Sequence, residues 1–441
     1  MAVSTPLKYR EWMIYEVFIR NHFPKGTIKS LIDDIPRIKQ LGMNVVWLMP
    51  FYPIGRKDRK GCLGSPYAIM DYRQVDPELG TLEDFRQLSE TVHANGMKLM
   101  IDIVFHHVSP DSRIATDHPE WIRRDTEGHF LRKVPDWSDI VDLDYAQPEL
   151  WDYLIESLMF WLEAGTDGFR CDVAPLVPLD FWLKARRTID SIRPDCIWMA
   201  ESVEPHFIRH LRNQGYDCSS DGELYQAFDI CYDYDSYGLY AKAVLHPEKL
   251  PAWIDTVTQQ ANIYPRNYIK LRFLENHDQK RAADLISNPI TRLNWTALQL
   301  FLPGTGLIYC GQEYQLTHQP SHFDSDPIVP SESELSDEMI RIIQTMAEIK
   351  PRVSHGVFEL ALDEKTMIVK AYYRIKDQMI IGLFNLLRAR GNLFLPEIPA
   401  KQGINLLTGS PVHILNHNLT IDDKPMVLAF SVKTRSEGVK V

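Results

Sequence analysis

The sequence has no run of eighteen apolar residues, so no segment has the length and apolarity of a membrane-spanning helix. It has no excess of basic charge either. Its 59 acidic residues against 48 lysines and arginines leave a formal charge of -11, the wrong sign for nucleic acid or an anionic membrane surface. Cysteine is scarce: Cys62, Cys171, Cys196, Cys218, Cys231 and Cys310 are scattered without CxxC or other ligand spacing, and two fall in short apolar runs that read as buried strands. Reduced structural thiols are the expectation, with disulfides left open by the even count. Residues 1–11 (MAVSTPLKYRE) hold no apolar signal core, which makes a cytoplasmic location the expectation. Internal repeats, low-complexity tracts and heptads are missing too. What is there, 441 residues at 45% hydrophobic and 24% charged, suits one large core plus a small accessory one, and the charge balance suits a neutral substrate.

From residue 12 onward, short apolar runs alternate with amphipathic helices about eight times, the pattern of βαβ units around a parallel sheet. Strands are expected at 13–20, 44–50, 98–104, 167–172, 196–200, 224–231, 268–274 and 306–310. Ile28, Leu31, Ile32, Ile35, Ile38 and Leu41 mark the stripe of the first helix, which Pro36 is expected to kink or split. Thr81, with Asp84 three residues later, reads as the N-cap of another. Between Phe105 and Tyr145 the alternation fails in a polar, His- and Asp-rich stretch, and loops that long without periodicity are usually functional. A last helix is expected at 339–349. Beyond residue 354 the period becomes two, in runs such as Met367–Arg374 and Gln378–Phe384, and the polar segment 433–441 is expected to fray. The expected fold is an α/β (β/α)8 TIM barrel over 1–353, including a small 105–145 excursion after strand three, followed by a small antiparallel β-sandwich over 354–441.

In such a barrel the chemistry gathers where strands end, so polar residues closing apolar runs are the ones to inspect. Strand three ends Asp102-Ile103-Val104-Phe105-His106-His107, strand four Gly168-Phe169-Arg170-Cys171-Asp172, strand five Met199-Ala200-Glu201, and strand seven Glu275-Asn276-His277-Asp278. Carboxylates from separate strands, each near His or Arg, repel one another, and catalysis explains that cost better than capping does. Retaining glycoside hydrolysis needs one ionised and one protonated carboxyl roughly 5–5.5 Å apart. Arg170 precedes Asp172 by two, so both share a strand face and the guanidinium can hold Asp172 ionised as nucleophile. Glu201, closing an apolar run, is disfavoured as an anion and suits the proton donor. Asp278 is placed to grip sugar hydroxyls, and His107 and His277 to donate to them.

These segments resemble the conserved regions of the α-amylase family, glycoside hydrolase family thirteen, in order and over nearly the whole chain. The family's DxxxNH region resembles Asp102–His107, its GxRxD region Gly168–Asp172, its acid/base Glu falls on Glu201 and its NHD region on Asn276–Asp278. The resemblance also implies a sugar-stacking role for Tyr67, places Asp142-Leu143-Asp144 late in the excursion, and matches the change of period after residue 354. Where the family's calcium-binding members have Asn this chain has His106, and where they have a Lys-His pair after the nucleophile it has Pro175-Leu176. Asp144 alone remains of that constellation, and residues 20–26 lack the alternating acids a hard cation would need. No calcium at the usual sites, no cofactor and no transition metal are expected. His106, His118 and His129 read as solvated loop histidines, Glu275 as a loop salt bridge, and Trp121, Trp137 and Tyr145 as sugar platforms or plugs of a miniature core. The implied activity is hydrolysis of α-glucosidic, α-1,4 bonds in malto-oligosaccharides. The alternatives are transfer to another sugar, as in glucanotransferases or trehalose-forming isomerases, and a non-catalytic carbohydrate-binding homologue.

Overall fold

Eight short strands, nearly all side chains buried, close on themselves in a computed structural model that describes residues 5–23, 25–330, 333–398 and 401–431. They are β1 (Met13–Val17), β2 (Val45–Leu48), β3 (Lys98–Ile103), β6 (Gly168–Cys171), β7 (Ile197–Ala200), β8 (Ile230–Tyr232), β9 (Lys270–Arg272) and β10 (Thr305–Tyr309). All neighbouring pairs are parallel, in the order β1-β10-β9-β8-β7-β6-β3-β2 and back to β1. Burial on both faces is why a strand such as β2, Val-Val-Trp-Leu, reads as continuously apolar rather than alternating.

The helices form the outer ring, and their ends follow local rules. Thr81 and Asp84 make the reciprocal capping box that starts the helix Leu82–Ala94. The helix Ile28–Gln40 runs unbroken through Pro36, contrary to expectation. Pro36 lies on its exposed face, where water can take the carbonyl that proline leaves unpaired, while Ile28, Leu31, Ile35 and Ile38 hold both halves to the core. Expected strand six is the largest boundary error. Ser220 and Glu223 form a capping box that turns Asp221–Leu224 into a helical turn, so β8 begins only at Ile230. The long excursion carries its own antiparallel pair, β4 (His107–Val108) with β5 (Val141–Asp142), which returns the chain to the barrel mouth.

After the helix Glu334–Val353, a six-stranded antiparallel sheet faces a two-stranded one formed by Gly391–Phe394 and Asn418–Ile421. Ile381, Leu383, Leu393, Leu395 and Leu419 fill the space between them, giving a β-sandwich with its own core. The other face of the larger sheet joins the barrel core through Val369, Tyr373, Ile380 and Phe384. Tyr373 Oη donates to the Phe301 carbonyl at 3.0 Å. Fold class is therefore as expected; the segment 433–441 lies outside the described residues. All six cysteines are free, and no helix among the described residues is long and apolar enough to cross a membrane.

Gly168 opens β6 with its α-carbon against β7: a Cβ there would lie 2.6 Å from both Ile197 Cβ and the Ile197 carbonyl oxygen. Gly168→Ala must pry β6 from β7. Urea unfolding should show a loss of about 1–3 kcal/mol, and an unchanged midpoint would contradict this packing.

Candidate active site

The register of the strands sets the site. Asp102 and Arg170 are directly paired across β3 and β6, and Cys171 pairs with Ala200 across β6 and β7. The next residues, Asp172 and Glu201, therefore leave adjacent strand ends, their amides still tied back to the Ile103 and Cys171 carbonyls at 2.8 and 3.0 Å. Arg170, with no exposure, bonds Asp102 through Nη1 at 2.9 and 3.0 Å, and the same nitrogen donates to Asp172 Oδ1 at 2.9 Å. Its Nη2 lies 2.9 Å from Glu201 Oε2, an ion pair rather than an aligned hydrogen bond. Glu201 Oε2 also accepts from the Val173 amide at 2.8 Å. To present that amide, Val173 takes φ +33°, a left-handed backbone that a β-branched residue rarely adopts and that is a common form of strain at functional sites.

A second unit stands across the barrel. Glu16, from the middle of β1, accepts from His277 Nδ1, and His277 Nε2 reaches Asp278 Oδ2 at 3.1 Å and the Tyr67 hydroxyl at 2.7 Å. The Tyr67 and His277 rings stack at 5.6 Å, and the Tyr67 hydroxyl closes the circuit to Asp102 Oδ2 at 3.3 Å. At the mouth, His107 lies beside His106, Nδ1 to Nδ1 at 3.1 Å.

Tyr67, His107, Asp172, Glu201 and Asp278 all line one cavity of about 310 Å³, and Asp102, Arg170 and His277 stand buried behind that lining. The cavity is also lined by Trp137, one of the aromatics left open as a sugar platform or a plug, and by Lys60, Asp139 and Phe323, which no sequence pattern placed there. Glu16 was also missed, although an acidic residue inside the apolar run of β1 was a legible signal. His106 is a correction. It is buried rather than solvated, because Trp137 and Asp142 enclose it, and burial holds its pKa well below the usual imidazole value. His118 and His129 are exposed. Glu275 is ion-paired as expected, to Arg281 at 2.6 Å, though in the interior. Tyr145 packs on Phe181 of the helix Leu179–Asp190, and Trp121 stacks on His118 while joining the main core, so both anchor the excursion to the barrel rather than fill a miniature core of its own. Among the described residues no three His, Cys, Asp or Glu side chains gather as a metal site.

One guanidinium cannot hold three carboxylates ionised. Burial pushes Glu201 up to about 8 against the pull of Arg170, with Asp172 and Asp278 repelling its anion. Burial likewise raises Asp102 to about 7. Asp278 is the opposite case. Burial acts to raise it, but the neighbouring His277 outweighs that and holds its carboxyl below the usual range. Burial disfavours the His277 cation, yet Asp278 and Glu16 on its two nitrogens raise its pKa well above the ordinary imidazole value.

A barrel of this topology, with acidic strand ends converging on one small cavity, defines a class of enzymes. Within it, the alpha-amylase catalytic domain ("Alpha amylase, catalytic domain") matches residues 10–135 and 117–352, and the chain belongs to the alpha-amylase family of glycoside hydrolases. An alpha-amylase from Lactobacillus plantarum, known as a crystal structure, is 42% identical, with 96% of this chain and 100% of that one covered at a TM-score of 0.92. A noncanonic maltogenic alpha-amylase, AmyB, from Thermotoga neapolitana is 34% identical over 96% of this chain and 99% of that one, with a TM-score of 0.84. Among curated relatives, an alpha-1,4-glucan:maltose-1-phosphate maltosyltransferase of Cereibacter sphaeroides is 34% identical over 224 residues, 46% of this chain and 33% of that protein. The match thus spans about a third of the length of such relatives.

The raised Glu201 carboxyl has a consequence for stability. Folded, it keeps a proton that the unfolded chain releases near its ordinary value of about 4.3, so stability falls as pH rises from there to about 8. Glu201→Gln removes that cost. At pH 7 its unfolding free energy in urea should exceed the wild type's by about 1 kcal/mol or more, and the gap should close toward pH 4; a lower stability at pH 7 would contradict the electrostatic picture.

Proposed function

We propose that the chain is a retaining hydrolase of α-1,4-linked gluco-oligosaccharides, with Asp172 as nucleophile and Glu201 as acid/base. The observation that carries this reading is the placing of two carboxyl groups, Asp172 and Glu201, at the ends of neighbouring strands in one cavity. Adjacent strands run about 4.8 Å apart, close to the roughly 5–5.5 Å that separates the pair in retaining enzymes. Asp172, held by Arg170, attacks the anomeric carbon while Glu201, protonated at neutral pH, gives its proton to the departing glycosidic oxygen. The glycosyl-enzyme ester is then opened by a water whose proton returns to Glu201. Asp278, kept anionic by His277, binds ring hydroxyls and favours the positive charge that develops on the sugar. Tyr67 offers its ring as the floor for the sugar, and His107 a polar contact at the rim. Asp102 and Arg170 act as positioning residues, as does Glu16 through His277. In this reading residues 1–353 form the catalytic unit, and the sandwich from 354 onward buttresses it.

Transfer to a second sugar is the other reading, favoured by the maltosyltransferase relatives. It shares every step up to the glycosyl-enzyme and differs only in whether water or a sugar hydroxyl arrives first.

With maltoheptaose and no added metal, the wild type should release shorter products whose new ends are α-anomeric by NMR, while Asp172→Asn and Glu201→Gln lose at least about 1,000-fold in kcat/KM, as removal of groups that act together in the transition state does. Longer products would select transfer, β-anomeric products would refute retention, and near-wild-type turnover by either variant would refute its assignment. Because Glu201 must carry a proton, kcat/KM should fall on the alkaline side with an apparent pKa near 8. Dialysis against EDTA should leave turnover unchanged, since His106 and Pro175-Leu176 stand where the calcium-binding pattern has other residues.

A further inference from the structure

The strand order places β1 four strands from β7 in either direction around the barrel, so the loops that follow β2 and β10, on either side of β1, stand across the mouth from Glu201. On the hydrolytic reading above, on which this inference rests, the leaving group departs on the Glu201 side. The retained part of the chain must therefore point toward those two loops.

They are sewn together. The Leu63 and Gly64 amides donate to the Phe323 carbonyl at 2.8 and 3.2 Å, and the Cys62 amide donates to Asp324 Oδ1 at 2.9 Å. Arg20, from the end of β1, ties in both sides by donating to the Gly64 carbonyl at 3.2 Å and the His322 carbonyl at 2.5 Å. Gly61 sits at φ +64°, and a Cβ on it would lie 2.5 Å from Phe323 Cβ, so the β2 loop is pressed onto the phenylalanine as closely as a glycine permits. The same β2 loop then bridges to the excursion. Lys60 Nζ pairs with Asp139 Oδ1 at 2.8 Å and donates to the Asp136 carbonyl at 3.2 Å. Lys60, Asp139 and Phe323 all line the cavity that holds Asp172 and Glu201. Three loops thus form one continuous rim, and its volume of about 310 Å³ is at the small end for ligand sites.

We propose that the Lys60–Asp139 pair and Phe323 form an end wall on the glycone side, so that the enzyme takes its substrate by the non-reducing terminus and releases one- or two-sugar units rather than cutting inside chains. An ion pair suits this use because it closes the gap while presenting polar atoms to the hydroxyls of the terminal sugar.

The test compares two p-nitrophenyl maltoheptaosides, one free and one with an ethylidene group across the 4- and 6-hydroxyls of its non-reducing end, both followed by chromatography of the first products. The wild type should release glucose or maltose from the free substrate before any longer fragment, and should cut the blocked one at least roughly 100-fold more slowly, the penalty expected when the reacting ring is displaced by about 1 Å. Lys60→Ala and Asp139→Ala, each opening the bar from a different loop, should raise the blocked-to-free ratio by about tenfold or more. Equal cleavage of both substrates by the wild type would overturn the wall, as would ratios that neither variant moves. Failure of the wild type to cut either substrate would instead refute the hydrolytic reading beneath it.

Discussion

Everything at the mouth of this barrel depends on the buried guanidinium of Arg170. It pairs with Asp102, Asp172 and Glu201 together, and it has no contact with bulk water to soften the imbalance. Trp47, Tyr67 and Tyr232 ring it at 5.3–5.8 Å, presenting the negative faces of their rings, and the Tyr232 hydroxyl accepts from its Nε. With one positive charge among three carboxyl groups, the acids cannot all ionise together. Burial pushes Glu201 up to about 8 against the pull of Arg170, so it keeps its proton at neutral pH, and burial raises Asp102 as well, to about 7, despite its two bonds from Nη1.

Separating Asp278 from that contest is the work of a second circuit. Glu16 and Asp278 flank His277 and hold it as a cation, and His277, more than the Arg170 guanidinium, keeps Asp278 ionised against its burial. Tyr67 joins the two circuits through its hydroxyl, which touches both His277 and Asp102. Two neighbouring acids with opposed protonation behaviour, one low and one high, follow from which cation each was given. The fold has to support this arrangement against its own stability, and the large apolar barrel core behind it, with Trp47, Trp161, Trp182 and Trp198 fully buried, is what makes that affordable.

Much of this was legible in the sequence because strand periodicity and strand ends are local properties. Arg170 and Asp172 two residues apart on one run must share a face, and Glu201, closing its own apolar run, had to meet them if the runs formed a parallel barrel. The alternation also located all eight strands, with the largest edge error where a cap intervened, at Ser220; the expected split of the first helix at Pro36 did not occur because that proline lies on an exposed face. The rim was not legible. Lys60, Asp139 and Phe323 lie in irregular loops separated by up to 263 positions, and nothing in their local pattern says that they meet. Trp137 gave an ambiguous signal because it serves both readings at once. One edge lines the cavity while the ring packs on His106, His107 and the apolar cluster behind.

That cluster explains how the excursion keeps its place. Val134 and Trp137 from the excursion pack against Val173, Leu176, Val203, Ile208 and Leu211 from the loops after β6 and β7, so apolar burial couples the excursion to the residues that follow Asp172 and Glu201. Lys133 adds a polar stitch, its amide donating to Asp142 Oδ2 at 2.8 Å and its ammonium to the Leu176 carbonyl at 2.5 Å. The departures from the family pattern fall at this seam. Leu176 is both an apolar contact and, through its carbonyl, the acceptor for Lys133, and buried His106 sits between His107 and Asp142. A seam held by apolar contact and hydrogen bonds fixes the excursion relative to the barrel by packing, and packing of this kind is set by the volume of each side chain. Changes of side-chain volume along 174–176, behind the cavity-lining Val173, therefore act on the geometry of the rim from outside the cavity lining.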